Sequence, residues 1–177
     1  MNIANKLTFL RILLVPVFVI VMYMNFFEAR LVATAIFAVA AFTDFLDGHL
    51  ARKHNLVTNF GKFADPLADK ILVCAAMILL VEIGDIPAWG VIIIISRELA
   101  VTGFRIIAAS ENITIAASKL GKFKTISQLV SLIILLTDIT YLYKLGLYIF
   151  YFAIFATIVS GIDYFYKNKK VLDLDNI

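Results

Sequence analysis

Residues 31–52 read LVATAIFAVAAFTDFLDGHLAR. The stretch opens with thirteen uncharged residues and closes on Asp44, Asp47, His49 and Arg52. A helix rising 1.5 Å per residue needs about 20 apolar residues to cross roughly 30 Å of hydrocarbon. The stretch therefore predicts a membrane helix with its polar end near the lipid headgroups. Working outward, apolar runs of similar length lie near 7–27, 61–83, 87–108, 119–140 and 144–166. Short polar or turn-forming stretches separate them, so consecutive helices should run antiparallel. The expectation is an all-α bundle of six transmembrane helices forming one membrane domain over 1–177.

Composition supports this class. Of 177 residues, 62% are hydrophobic and 16% charged, against about a quarter charged in soluble domains, and the mean hydropathy is +0.95. Six spans leave no room for a separate soluble domain. The single cysteine, Cys74, excludes an intrachain disulfide framework and a cysteine-cluster metal site. The net charge of +3 is better explained by a membrane surface than by nucleic acid, and no nucleic-acid partner is expected. No small-residue cleavage site follows the first apolar run, so that run reads as a retained helix, with Pro16 tolerated inside it.

Orientation follows from the basic residues. Fourteen of the sixteen lysines and arginines fall toward the end that holds both termini and the 2–3 and 4–5 connections, and only Arg30 and Lys144 fall toward the other. The positive-inside rule places the first end in the cytoplasm. Trp89, after Pro87, then reads as an interfacial anchor on the far side.

Asp44 and Asp47 stand at i and i+3 near the end of the second helix, and Asp65 and Asp69 at i and i+4 near the start of the third. Each pair shares one helix face. A short antiparallel connection brings the two faces together, so four carboxylates converge at one depth. In a low dielectric they must be protonated, solvated, paired with bases or neutralised by cations. An all-oxygen donor set favours Mg²⁺ or Mn²⁺ over Zn²⁺, and two metal ions are the economical solution. For any one aspartate alone, a helix-end charge facing headgroups is an equal alternative; for all four at matching spacings it is a poor one. Gly48 and Gly61 leave side-chain-free surface beside the acids, for helix packing or ligand approach. Arg52 suits a phosphate or a positive-inside anchor. His49 and His54 read as interfacial.

The segment Asp44-Phe-Leu-Asp47-Gly48-His-Leu-Ala51-Arg52, continued by Gly61, Asp65 and Asp69, resembles the signature of the CDP-alcohol phosphotransferases, a membrane family that builds phospholipid headgroups. The opening run with Asn5, Thr8 and Arg11, the stretch Ser96-Arg97-Glu98 through Gly103 and Arg105, and Ser118-Lys119-Leu-Gly121-Lys122-Phe-Lys124 resemble its bacterial phosphatidylglycerophosphate synthase branch. That resemblance implies CDP-diacylglycerol and sn-glycerol 3-phosphate as substrates, with phosphatidylglycerol phosphate and CMP as products. It also implies a bacterial cytoplasmic membrane setting, surrounding membrane lipids and a homodimer.

The family pattern gives metal binding, by two Mg²⁺ ions or by Mn²⁺, to Asp44, Asp47, Asp65 and Asp69, and makes Asp69 the general base. It sets the cytidine diphosphate against Gly48, Ala51, Arg52 and Gly61, with Asn5 and Thr8 as further candidates. Thr8 serves equally as an N-cap. The acceptor phosphate needs cations, and Arg97, Arg105, Lys119, Lys122 and Lys124 are the candidates; the three lysines serve equally as positive-inside anchors. Arg97 and Glu98 are expected to make an intramembrane polar contact, in which Glu98 orients an arginine. Tyr148, Phe150, Tyr151, Phe152 and Phe155 form an apolar surface for lipid or subunit packing. Two alternatives remain: a family member with another acceptor, of cardiolipin, serine or inositol phosphate type, or a divalent-cation transporter.

Overall fold

The structure is a computed structural model that describes the backbone of residues 3–24, 26, 28–54, 59–110, 115 and 118–168. It describes the side chains of these residues except 3–8, 44–54, 59–69, 110 and 119. Six helices follow in order: α1 (Ile3–Tyr23), α2 (Ala29–His54), α3 (Asn59–Glu82), α4 (Ala88–Ser110), α5 (Lys119–Leu136) and α6 (Thr140–Lys167). No strand occurs among the described residues.

The helix ends have local causes. Helix α1 begins at Ile3 and runs through Pro16, so Thr8 lies five residues inside it and is not the N-cap that the sequence allowed. Helix α3 stops where Gly84 takes φ 84°. The amide of Asp85 donates to the Leu80 carbonyl at 2.9 Å and that of Gly84 to Val81 at 3.0 Å, the paired bonds of a glycine-closed helix end. Helix α5 opens on Ser118, whose Oγ accepts from the Gly121 amide at 3.0 Å, a cap of about 1 kcal/mol. It ends at Leu136, short of the expected 140, because Asp138 takes φ 56° and turns the chain. Lys144 therefore falls inside α6.

Packing follows the buried stripes. Ala33, Phe37 and Ala40 of α2 meet Phe18 of α1, and Leu72, Ala76 and Leu80 of α3 complete this core with Leu132 and Leu135 of α5. The alanines allow close helix approach. Phe150 was expected on the outer surface but is fully buried, because Gly90 of α4 leaves room beside it; a Cβ there would stand 3.1 Å from the Phe150 ring. Its neighbours Tyr148 and Phe155 are exposed, and Trp89 stacks on Tyr151 with ring centroids 6.1 Å apart.

The α1–α2, α3–α4 and α5–α6 connections gather at one end. Arg30 of α2 joins them there: it lies 2.5 Å from Asp85 and 3.3 Å from Asp138, and donates to the Leu135 carbonyl at 2.9 Å. Tyr143 of α6 donates to the Asp85 carbonyl at 3.0 Å, and Tyr23 to Glu82 at 2.6 Å. Alternation of the helices sends the last turns of α2 and α4 and the first turns of α3 and α5 to the opposite end.

Much of the outer surface is apolar, with Leu99, Ile106 and Ile162 each more than three-fifths exposed. Water-soluble monomers rarely expose large contiguous apolar surfaces. By length and apolarity alone, one helix among the described residues, Thr140–Lys167, can cross a membrane, while the apolar stretches Phe9–Tyr23 and Ala29–Thr43 are shorter. Helices α3 to α5 carry Lys70, Arg97, Glu98, Arg105 and Lys124 within their lengths. Of these, Lys70, Glu98 and Lys124 line one cleft, and Arg97 joins Glu98 there.

Candidate active site

Helix register places the acidic positions. On α2, the wholly buried Ala33, Phe37 and Ala40 continue at helical spacing through positions 44 and 47. On α3, the buried stripe of Leu80, Ala76 and Leu72 continues back through positions 69 and 65. Both helices are unbroken through these positions, which stand at helical spacing from the two buried stripes. The side chains of Asp44, Asp47, Asp65 and Asp69 lie outside the described residues, as do those of Asn5, Thr8, Gly48, Ala51, Arg52, Gly61 and Lys119. Among the described residues, no group of three or more His, Cys, Asp or Glu side chains could hold a metal. The four aspartate positions offer hard oxygen donors from two unbroken helices, a donor chemistry that fits a divalent cation.

Beside them the described side chains form a charged cluster. Lys70, the residue after Asp69, lines a cleft between α3, α4 and α5 with Glu98 and Lys124. Lys124 is 2% exposed, and its Nζ meets Glu98 Oε1. Arg97 Nη1 donates to the same oxygen at 3.1 Å, and its Nη2 reaches Ser160 Oγ on α6 at 3.1 Å. Two glycines make the path: a Cβ at Gly161 would stand 3.3 Å from Arg97 Cγ, and one at Gly121 would stand 3.8 Å from Nη2. The arginine thus passes from α4 toward the first turn of α5. Below the charges, the cleft is walled by Val73, Cys74, Met77, Ile95 and Leu129.

The five cations named from the sequence do not all meet. Arg97 and Lys124 share Glu98. Arg105, two turns beyond Arg97, also faces α6: its Nε donates to Tyr164 Oη at 3.3 Å and its guanidinium carbon stands 5.6 Å from that ring's centroid. Lys122 is exposed, one turn from the outward-facing Ile126, and stands apart from the Glu98 cluster. Sequence reasoning anticipated the Arg97–Glu98 contact but missed Ser160 and Tyr164. Their signal was a small polar pair, Ser160-Gly161, and a tyrosine one turn later in an otherwise bulky helix.

The sequence model of the CDP-alcohol phosphatidyltransferases matches residues 1–159. The chain belongs to this family. CDP-alcohol phosphatidyltransferases are membrane-associated enzymes in bacteria and generally use divalent metal ions. Within the family, the chain is 44% identical to the CDP-diacylglycerol–glycerol-3-phosphate 3-phosphatidyltransferase of Bacillus subtilis (strain 168), with 99% of each chain covered. Enzymes of the same name from Rickettsia bellii (strain RML369-C) and Haemophilus influenzae (strain ATCC 51907 / DSM 11121 / KW20 / Rd) are 40% and 41% identical, over 96% and 99% of this chain and 96% and 97% of their own.

Proposed function

We propose that this chain transfers the phosphatidyl group of CDP-diacylglycerol to sn-glycerol 3-phosphate, giving phosphatidylglycerol phosphate and CMP. Near-full-length identity of 40–44% to enzymes named for that reaction carries the reading. The cationic cluster of Arg97 and Lys124, with Lys70 of α3 in the same cleft, supports it, because this acceptor brings a phosphate of its own.

Asp44, Asp47, Asp65 and Asp69 would hold two Mg²⁺ ions, with Mn²⁺ as a substitute. Bound there, the ions supply neutralisation of diphosphate charge and alignment of the leaving CMP. Asp69 takes the proton of the glycerol hydroxyl. Gly48, Ala51 and Gly61 let the cytidine diphosphate approach the backbone, Arg52 meets its phosphate, and Asn5 and Thr8 lie on the nucleotide side. Arg97 and Lys124 receive the acceptor phosphate, with Arg105 at its edge and Lys119 in the first turn of α5.

The chain is proposed as one domain of six membrane spans with both termini in the cytoplasm of a bacterium. The fourteen-to-two distribution of basic residues supports that orientation, and the gathering of three connections around Arg30 supports the alternation. A homodimer is proposed on the exposed face of α6 that carries Tyr148 and Phe155.

The test is CMP release by purified protein in detergent micelles with CDP-diacylglycerol and Mg²⁺, offering glycerol 3-phosphate, serine, inositol phosphate or phosphatidylglycerol. Release with glycerol 3-phosphate alone is expected. Release with a different acceptor overturns the substrate assignment, and cation flux in liposomes without CMP release overturns the enzymatic one.

A further inference from the structure

One carboxylate organises two cations of the cluster, the buried Lys124 and the largely shielded Arg97. Lys124 is 98% buried, and an ammonium taken out of water at that depth is costly without a counter-charge. Glu98 supplies it from the neighbouring helix. The same Oε1 also accepts from Arg97 Nη1, and among the described residues the other terminal nitrogen of Arg97 meets only the neutral hydroxyl of Ser160. Arg97 Nε has no hydrogen-bond partner among the described residues. An ion pair serving packing alone would be matched one to one. Among the described residues, two cations from two helices share this one anion, an excess of positive charge that suits an anion from outside.

We infer that Glu98 is a positioning residue for the acceptor: it holds Arg97 and Lys124 side by side at the charged end of the cleft, preset for the phosphate of the incoming alcohol. This rests on the acceptor reading above. Without Glu98, the flexible four-carbon stem of Lys124 loses its anchor and the arginine loses one of its two contacts. Because Glu98 acts through these cations, its removal affects the acceptor and leaves the nucleotide lipid alone.

The experiment measures kcat and both KM values in detergent micelles for Glu98→Gln, Glu98→Asp, Arg97→Lys, Lys124→Met and Glu98→Gln/Lys124→Met, with thermal unfolding of each. In Glu98→Gln the KM for glycerol 3-phosphate should rise about tenfold while that for CDP-diacylglycerol stays within about twofold, with partial recovery in Glu98→Asp. An unchanged acceptor KM in folded Glu98→Gln, or an equal rise in both KM values, overturns the proposal. Should Glu98→Gln not fold, the double variant replaces the pair with neutral groups, a change that often preserves folding. Its acceptor KM should exceed that of Lys124→Met by less than about threefold, and a further tenfold rise overturns the proposal. If neither Arg97→Lys nor Lys124→Met moves the acceptor KM, the acceptor pocket itself is misplaced and Glu98 falls with it; if they move it and Glu98→Gln does not, only the role of Glu98 fails.

Discussion

Arg30 and Asp85 lie 2.5 Å apart, although the first opens α2 and the second sits in the turn after α3. Both side chains are largely shielded, and Arg30 also holds Leu135 and Asp138. Replacing Asp85 by alanine should lower stability by about 1–3 kcal/mol, as expected for a shielded charge-assisted hydrogen bond. Thermal unfolding in detergent measures this. Both KM values should stay near wild type, since the pair stands at the end away from the acids.

Asp69→Asn preserves shape and removes the proposed base. Turnover should fall by about 10²- to 10⁴-fold, with CDP binding still detectable by calorimetry. Turnover at the wild-type rate would remove Asp69 from the role of base.

Arg105 and Lys122 should part company. Arg105 shares a face of α4 with Arg97, two turns on, and is steadied by Tyr164, so on the proposed acceptor role Arg105→Ala should raise the glycerol 3-phosphate KM about three- to tenfold. Lys122 faces outward, and Lys122→Ala should change that KM less than about twofold. Steady-state kinetics over acceptor concentration separates the two, and the reverse order would place the acceptor on the outer side of α5.

Gly146 of α6 packs close against α5. A Cβ there would stand 2.9 Å from both Leu135 Cγ and Cδ2, and the Gly146 carbonyl accepts from Ser131 Oγ at 2.9 Å. Gly146→Val should cost about 1–3 kcal/mol by overpacking. A melting temperature equal to wild type would show that Leu135 can move aside.

Chelation tests the proposed metals. EDTA should abolish CMP release, and excess Mg²⁺ or Mn²⁺ should restore it. Activity that survives exhaustive chelation would remove the metal role from the four aspartates.

The helices were legible in the sequence because long apolar runs such as 31–52 alternate with short polar or turn-forming stretches. Their ends were less legible. The chain turns at Asp138 because that residue takes a left-handed backbone, and no apolar pattern encodes it. The four aspartates stood out through their spacing, which is a property of single helices. Ser160, Tyr164 and the Glu98–Lys124 pair did not, because each becomes meaningful only when α4, α5 and α6 are side by side. Phe150 was misread for the same reason: its burial depends on Gly90, sixty residues earlier.

The Arg30 junction also sets an order in time. Its partners lie 55 and 105 residues farther along the chain, so during synthesis the guanidinium of the second helix must wait for them. Asp85 arrives first, after the third helix; the Leu135 carbonyl arrives only with the fifth. The first helical hairpin is therefore synthesised before the groups that satisfy its arginine exist, and closure of that end is an event of late assembly.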